Sequence, residues 1–323
     1  MPRRIDVRYA WSVRLAHFSD LHLLSHAGAR WLQFANKRWI GAMNLLSNRA
    51  RHYVGEAFED MIEDLNGQGL DHAVCTGDVT NLAFEQEFRF ARERFDRLRL
   101  GPLGVTVLPG NHDAYVAEGI PHFATVFADY ATPDPGWVWG EGDAAPGEPE
   151  DERRWPIVRV RGDLALIGLS TSRATPWFTA YGRVGAGQLA RLRRVLTDPR
   201  LGQSTRVVAI HHPPAGPRAR SKIRGLRDHA DFAAVIAEAG AELVIHGHEH
   251  RNMREVLPGP AGDVPVLGVP SGTYGASDPS RTARYRVIEI AGRQVVSDHL
   301  RVWRRDEKAF VVDDSAPPAV AAS

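Results

Sequence analysis

The stretch LVIHGHEHRN, residues 243–252, passes directly from a short apolar run into a cluster of polar side chains. The run 242–246 predicts a buried strand, and Gly247 lets the backbone turn sharply after it. Two interpretations of the histidines are open at this point. His246, Glu249 and His250 fit H-x-x-E-H, a zinc-peptidase pattern, whereas the second and third histidines alone fit G-H-x-H.

The composition is that of an ordinary soluble protein, with 323 residues, 43% of them hydrophobic and 24% charged. Lys and Arg total 40 against 39 Asp and Glu, so no global field favours nucleic acid. Cys75 is the single cysteine, which excludes an internal disulfide and a thiolate metal cage. We expect no secretion signal at the N-terminus and no membrane-spanning helix, hence a cytoplasmic location.

Apolar, β-branched runs alternate with helical patterns along the chain. Strands are predicted over 13–18, 72–76, 105–109, 164–169, 206–210, 242–246 and 264–269. Helices are predicted over 53–66, 83–98, 187–196 and 231–240, and a β-hairpin over 284–290 and 294–303. This alternation favours an α/β domain with a largely covered central sheet.

Five of the predicted strands are followed at their carboxyl ends by Asp, Asn or His. The oxygen and nitrogen donors at these positions are Asp20, His22, Asp78, Asn111, His211, His248 and His250. Open α/β sheets place their sites at this edge, so we expect the donors to converge. They are too many for one catalytic ion and suit two ions, roughly 3.5–4 Å apart, that share a bridging carboxylate. Without sulfur, the set suits Mn, Fe, Zn, Co or Ni, with Mn, Fe or Zn expected first.

The ordered motifs D-x-H, G-D-x-x-N, G-N-H-D, H-x-P and G-H-x-H closely resemble the calcineurin-like metallophosphoesterase superfamily over about residues 13–275. The resemblance implies a four-layer α/β/β/α sandwich with two central mixed sheets. The implied first metal is held by Asp20, His22, Asp78 and His250. The implied second metal is held by Asp78, Asn111, His211 and His248, so the shared carboxylate bridges.

The resemblance also implies a reaction, namely attack of a metal-bridging hydroxide on phosphorus. His112 would lie beside the leaving-group oxygen as a proton donor or charge stabiliser, and Asp113 would orient it. Asn81 stands where protein phosphatases of the superfamily carry an arginine. The motifs resemble instead the cyclic-nucleotide and glycerophosphodiester phosphodiesterase branch, so we expect a small-molecule phosphodiester, with a phosphomonoester as the other possibility.

Substrate contacts are also expected outside the metal ligands, at Asn81, His212, Arg218 and Arg220. Arg218 and Arg220 belong to a basic loop, 214–228, that either gathers an anionic substrate or is simply solvated. His212 either contacts substrate or supports a ligand. His246, at the end of its strand, is expected to have a supporting role.

The chain is expected to form one domain over 1–312 with a flexible tail over 313–323. The segment 131–156 is expected to be a long surface loop or a set of short irregular pieces. The segment 29–52 shows apolar residues at helical spacing with flanking bases. It either packs on the domain or touches the inner face of a membrane.

Four alternatives to a small-molecule phosphodiesterase remain. The segment 29–52 is loosely similar to inserts in bacterial family members that cleave the pyrophosphate of UDP-diacylglucosamine, so a lipid-linked substrate is one alternative. A non-catalytic scaffold with the same fold is another. A zinc peptidase would need its H-x-x-E-H on a helix, which Gly247 and the preceding strand-like run disfavour. A nuclease would favour a broad basic face. The oligomeric state is left open.

Overall fold

The computed structural model describes residues 12–24, 53–275 and 281–316, which form two mixed sheets of six strands each. The strands are β1 (Val13–Phe18), β2 (His72–Cys75), β3 (Val105–Val107), β4 (Ile157–Arg161), β5 (Leu164–Gly168), β6 (Thr205–Ile210), β7 (Leu243–His246), β8 (Met253–Gly259), β9 (Gly262–Gly268), β10 (Arg284–Ala291), β11 (Gln294–Arg304) and β12 (Ala309–Val312). The helices are α1 (Gly55–Gly67), α2 (Glu85–Phe95), α3 (Gly101–Gly104), α4 (Gly119–Val126), α5 (Ala186–Leu196), α6 (Gly216–Ala219) and α7 (His229–Ala239).

Each sheet is built around parallel strands and flanked by antiparallel ones. The first sheet has the order β12-β11-β10-β1-β2-β3, in which β1, β2 and β3 are parallel. The second has the order β4-β5-β6-β7-β9-β8, in which β5, β6, β7 and β9 are parallel. Parallel strands end on the same edge of a sheet, so each sheet brings several strand-end loops together.

The central strands β5, β6 and β7 of the second sheet are buried on both faces. Val207 and Ala209 of β6 pack into the core shared with the first sheet, whereas Val208 and Ile210 pack into the core that includes α5 and α7. This alternation follows from the two-residue period of a strand. Two central sheets with helices outside them confirm the α/β/β/α layering that the resemblance implied.

The helices are amphipathic, as their spacing predicted. The buried face of α1 carries Ala57, Phe58, Met61, Ile62 and Leu65. Phe58 lies 5.4 Å, between ring centroids, from Phe95 of α2, so the two helices meet through aromatic rings above the first sheet. The helix α7 ends where predicted, since Gly240 has φ 74° and donates its N–H to the Ile236 carbonyl.

The segment 131–156 consists of short irregular pieces and includes the 3-10 turns Glu141–Asp143 and Glu150–Glu152. It is not a loose surface loop. The Arg191 side chain of α5 donates to both carboxylate oxygens of Glu148, at 2.6 and 3.0 Å, and both residues are buried. Arg191 Nε also donates to the Trp155 carbonyl at 2.6 Å. A charge-assisted anchor therefore holds the segment against α5.

The remaining expectations concern the tail, the segment 29–52 and membrane-spanning helices. Asp313, expected in the tail, is buried and ion-paired with Arg284 at 2.6 Å, so packing continues past residue 312. Residues 317–323 and both interpretations of the segment 29–52 lie outside the described residues. Among the helices of the described ranges, none has the length and apolar character needed to cross a bilayer.

Candidate metal centre

The carboxyl ends of parallel strands from the two sheets lie next to each other. Hydrogen bonds from side chains that follow strands of the second sheet to backbone carbonyls that follow strands of the first hold them together. His211, just after β6, donates from Nδ1 to the Thr76 carbonyl just after β2, at 2.8 Å. Ser172, after β5, donates to the Pro109 carbonyl after β3, at 2.6 Å. The polar residues that follow strands of both sheets are thereby brought to one place.

Three of the predicted ligands form a first group around Asp20. His250 Nε2 lies 3.2 Å from Asp20 Oδ1, and His22 Nε2 lies 3.2 Å from His250 Nε2. The ligand atoms of these three residues all lie within 4.8 Å of one another. Asp20 is fully buried, and its carboxylate also accepts the backbone N–H of His248 at 2.9 Å.

A second group lies beside the first and consists of Asn111, His211 and His248. Asn111 Oδ1 lies 2.7 Å from His248 Nδ1 and 3.1 Å from His211 Nε2. The two imidazole nitrogens are 3.3 Å apart. Because His211 donates its Nδ1 hydrogen to a carbonyl, the lone pair of neutral His211 is on Nε2 and faces this group.

Asp78 lies between the two groups and presents one oxygen to each. Its Oδ2 is 3.8 Å from His22 Nε2 of the first group, and its Oδ1 is 3.5 Å from His211 Nε2 of the second. The same Oδ1 accepts the backbone N–H of His112 at 2.7 Å, which holds the carboxylate in this orientation.

The loops that carry these residues are conformationally strained. Of the nine non-glycine residues with positive φ in the described ranges, five are predicted ligands: Asp20, His22, Asp78, His248 and His250. Left-handed backbone costs an L-residue free energy and persists only where the surrounding structure imposes it. Such strain concentrates at functional sites, and here it turns successive side chains toward one point.

Two glycines allow the close approach of these loops. Gly77 has φ 115°, and a Cβ there would lie 2.6 Å from the Gly110 nitrogen and 2.8 Å from His211 Nδ1. A Cβ on Gly247 would lie 2.7 Å from Asp20 Oδ2 and would overlap Ser19. Since both contacts are below van der Waals distance, only glycine fits at either position.

Burial and charge pull the pKa values of the group in opposite directions. Burial favours neutral Asp20, but the attraction and hydrogen bond of His250 take its pKa down to about 2. Burial likewise opposes the charge on His211, yet the Asp78 carboxylate raises its pKa to about 9. Burial lowers the pKa of His22 and His248 well below the usual value, so these rings are neutral and can act as ligands.

The donor set fits a pair of metal ions. Ligand bonds of about 2.0–2.2 Å place neighbouring donors about 3–3.5 Å apart, close to the separations within each group. Carboxylate, amide and imidazole donors suit the borderline and hard first-row metals. Because His22 and His248 are neutral, these two rings do not offset the charge of the buried carboxylates, which a metal ion would offset.

His112 lies at the edge of the centre, and its ring is oriented by a backbone carbonyl. Its ring packs edge-on against His22, with centroids 4.6 Å apart, and its Nδ1 donates to the Asn81 carbonyl at 2.8 Å. Asp113 accepts from backbone or side-chain groups of Val79, Thr80 and Gly110. These four bonds use the acceptor capacity of a carboxylate. These bonds do not include the His112 ring, so the predicted orienting role of Asp113 would act through the loop that contains Asn81.

Asn81 and His212, both expected near substrate, have different surroundings. The side-chain nitrogen of Asn81 is buried and has no hydrogen-bond partner among the described residues. Both ring nitrogens of His212 are engaged, Nε2 with the Ala180 carbonyl at 3.1 Å and Nδ1 with the Thr171 hydroxyl at 2.7 Å. Of its two expected roles, the supporting one is favoured, since its ring packs against His248 at 4.5 Å.

The zinc-peptidase interpretation is excluded by the geometry of residues 243–250. His246 is the last residue of β7, not part of a helix, and its Nδ1 donates to the Gly247 carbonyl at 2.9 Å. It is absent from the clusters of possible metal ligands found in the described ranges. His246 is a buried packing residue, as expected.

A pocket of about 360 Å³ adjoins the centre and is lined by His248, His250 and several cationic or aromatic side chains. Arg218 lines it, but the exposed Arg220 does not, so the structure brings only the first of this predicted pair to the site. Arg224, which also lines the pocket, belongs to the predicted basic loop 214–228. Sequence reasoning did not single out the other lining residues Tyr53, Arg251, Tyr274 and Arg281. Arg251 stands beside a recognised motif, whereas nothing in the local sequence points to the other three.

The segment after β9 forms hydrogen bonds to the backbone that carries the first donor group. The Ser271 hydroxyl donates to the Asp20 carbonyl at 2.6 Å, and the Thr273 hydroxyl donates to the Leu21 carbonyl at 2.7 Å. The adjacent Tyr274 pairs with Tyr53, whose hydroxyl lies 3.3 Å from His250 Nδ1. Residues far apart in the chain thereby hold the backbone and ring orientations of the proposed ligands.

The fold and the site define an α/β two-sheet protein with a candidate two-metal centre at its joined strand ends. The chain belongs to the calcineurin-like phosphoesterase family, whose model matches residues 13–252. Comparison of the sequence with curated proteins finds no match.

Solved structures share the fold at low sequence identity. A dimetal phosphatase from Danio rerio is similar with a TM-score of 0.53 and 13% identity, covering 89% of this chain and 95% of that one. A purple acid phosphatase from yellow lupin (Lupinus luteus) seeds is similar with a TM-score of 0.53 and 10% identity. That comparison covers 93% of this chain and 53% of the lupin chain, so the protein spans about half the length of the plant enzyme.

Proposed function

We propose that this protein is a two-metal hydrolase of phosphodiester bonds in a small molecule. The observation that carries the proposal is the position of Asp78, which presents one oxygen to each of two donor groups. A carboxylate shared between two sets of histidines is the arrangement that a dinuclear site requires. Together with Asp78, one metal ion would be held by Asp20, His22 and His250. The other metal ion would be held by Asp78 with Asn111, His211 and His248. When bound, such metals clamp phosphate oxygens and supply an acidified water.

His112 is the residue that we assign to the leaving group. Its Nδ1 hydrogen is committed to the Asn81 carbonyl, so Nε2 is the atom that exchanges a proton with substrate. Because the ring is held by main chain, the proton donor does not depend on a second ionisable side chain. Its place beside His22 sets it at the margin of the metal pair, where a leaving oxygen would depart.

Asn81 is the residue that we assign to a phosphate oxygen. Leaving a buried amide nitrogen without a partner costs about 1–3 kcal/mol, and such groups in native proteins call for an explanation. Asn81 lies on the loop that begins at Asp78. The Asp113 carboxylate fixes this loop by accepting the backbone N–H of Thr80. A bound phosphate oxygen would satisfy the amide, so its cost in the free protein is offset in the complex.

A test of this proposal uses bis(p-nitrophenyl) phosphate with Mn²⁺, Fe²⁺ or Zn²⁺ supplied after chelation. We expect hydrolysis that depends on added metal and that is stronger than with p-nitrophenyl phosphate. Absence of hydrolysis of either compound by protein that binds two metals would sink the proposal. Hydrolysis of the monoester in preference to the diester would support a two-metal hydrolase but assign it phosphomonoesters as substrates.

Two other candidates receive less support. A non-catalytic scaffold is disfavoured because the described residues bring together the complete donor set and His112. A lipid-linked pyrophosphate substrate was suggested by the segment 29–52, which lies outside the described residues. It stays a prediction, to be tested with UDP-diacylglucosamine in mixed micelles.

A further inference from the structure

The pocket beside the candidate metal centre is mainly cationic. In addition to two histidines of the centre and Glu249, its walls are Tyr53, Arg218, Arg224, Arg251, Tyr274 and Arg281. Its volume of about 360 Å³ suits a small molecule or one part of it. Because the pocket shares His248 and His250 with the centre, it lies where a group attached to the bound phosphate would extend.

The positive charge of this pocket is only partly compensated from within. Among the residues that the structure describes, Glu249 is the acidic residue of the lining, and its Oε2 lies 3.4 Å from Arg218 Nε. The Arg218 side chain is 58% exposed, so this ion pair is weak and readily exchanged for another anion. The other three arginines leave a positive excess at one side of the centre, which attracts anionic groups.

Two of the arginines, Arg281 and Arg224, line the pocket next to proposed metal ligands. Arg281 stacks over Tyr274 at 4.4 Å, and Tyr274 meets Tyr53 with ring centroids 5.9 Å apart. Since Tyr53 reaches His250, this wall is tied to the first donor group. On the other side, Arg224 lines the same pocket as His248 of the second donor group.

A single phosphate held by two metal ions does not require this further charge, because the metals already neutralise it. Guanidinium groups bind phosphate oxygens well, and several on one side of a metal pair match a second phosphate. We infer that the pocket is a subsite for a second phosphate, and that the substrate carries a diphosphate. The inference rests on the proposed function and specifies its substrate class.

Calorimetric titration of the Mn²⁺-loaded protein tests this inference with two probes that differ by one phosphoryl group. The probes are AMP and α,β-methylene-ADP, with AMP recovery confirmed by chromatography. We expect α,β-methylene-ADP to bind at least about tenfold more tightly than AMP, as one added charge-assisted contact implies. Arg224→Gln and Arg281→Gln should each reduce that ratio by about three- to tenfold, while leaving AMP binding nearly unchanged.

A matched control and an opposite change sharpen the experiment. Lys222→Gln removes one positive charge from the same loop at an exposed position outside the pocket lining, so the ratio should stay at its wild-type value. Glu249→Gln removes the compensating acid and should raise the ratio. Equal binding of the two probes by wild-type protein, or equal ratios in all variants, would overturn the subsite.

The same experiment separates this inference from the proposed function. Hydrolysis of bis(p-nitrophenyl) phosphate with equal binding of AMP and α,β-methylene-ADP would retain the hydrolase and discard the diphosphate subsite. A wild-type preference for α,β-methylene-ADP that Arg224→Gln and Arg281→Gln reduce would support the subsite even if no ester were hydrolysed. The binding measurement therefore does not depend on turnover.

Discussion

The Nδ1 atom of His112 lies 2.8 Å from the carbonyl oxygen of Asn81. Because a carbonyl only accepts, this bond places the ring hydrogen on Nδ1 of neutral His112 and leaves the chemistry to Nε2. The carbonyl belongs to a loop whose backbone is held by the buried Asp113. A fixed tautomer next to the candidate metals is what a group that donates a proton to a leaving oxygen needs.

His112→Gln should reduce kcat for a diester by about 10²–10⁴-fold, the usual contribution of a general acid. The bound metal should not change, since the donors of both groups remain. Metal analysis and steady-state kinetics measure the two quantities. His229→Gln, at the start of α7, is the matched control and should keep the wild-type rate. A His112→Gln rate within about threefold of wild type would contradict the assignment.

Asp78→Asn should release metal from both groups, because the residue contributes one oxygen to each. We expect less than one tightly bound ion per chain and a rate lower by about 10³-fold, from the several kcal/mol that metals contribute. Mass spectrometry of the metals and a diester assay report the outcome. Asp306→Asn, at an exposed turn, should retain both ions. Retention of two ions by Asp78→Asn would show that this carboxylate does not bridge.

Asn81→Ala should weaken substrate binding without destabilising the fold. Its amide nitrogen has no partner among the described residues, so removing it costs no hydrogen bond there. We expect KM to rise by about tenfold or more, the value of a hydrogen bond to a charged group, while Tm stays at or above that of wild type. A lower Tm with unchanged KM would assign Asn81 a structural role instead.

The stability of metal-free protein should fall as the pH rises above neutrality. The folded pKa of His211, about 9, exceeds its ordinary value of about 6.5. Its stabilising contribution is therefore complete below about 6.5 and is lost as pH rises through about 9. A metal replaces that proton, so the Tm difference between Mn²⁺-loaded and chelated protein should grow from pH 6 to pH 9. A difference that shrinks over this range would contradict the assignment of His211 as a ligand.

Arg191→Met should destabilise the protein by about 3–5 kcal/mol, because it leaves the buried Glu148 without its partner. The control is Arg194→Met on the same helix, which breaks the exposed pair with Asp143 and should cost about 0–1 kcal/mol. Chemical denaturation at pH 7 measures both variants.

At acidic pH, the difference in the free energy of unfolding between Arg191→Met and wild type should become smaller. The hydrogen bond from Arg191 holds the pKa of Glu148 below its ordinary value. The pair therefore stabilises the fold above about pH 4.3 and loses this effect as pH falls through the folded pKa. Equal costs for Arg191→Met and Arg194→Met at pH 7 would mean that the segment 131–156 is not anchored by this pair.

Five of the strands that local sequence predicted share a physical property. β1, β2, β5, β6 and β7 are short and largely apolar, because these strands are almost wholly buried. The strands that were missed, β4, β8 and β12, all lie at the edges of their sheets. Edge strands have one pairing partner and tolerate charges and proline, as Pro258 in β8 illustrates, so their composition predicts them poorly.

The sequence by itself determined the donors and their order along the chain. Apolar runs that end in Gly, Asp, Asn or His identified the site, because parallel strands bring their carboxyl ends to one edge. The resemblance implied that Asp78 is shared, but only the tertiary structure shows that its two oxygens face different groups and that the Asn81 carbonyl holds the His112 ring. It alone placed Tyr53 and Arg281 beside His250, since contacts between distant segments are set by packing and not by neighbours in the chain.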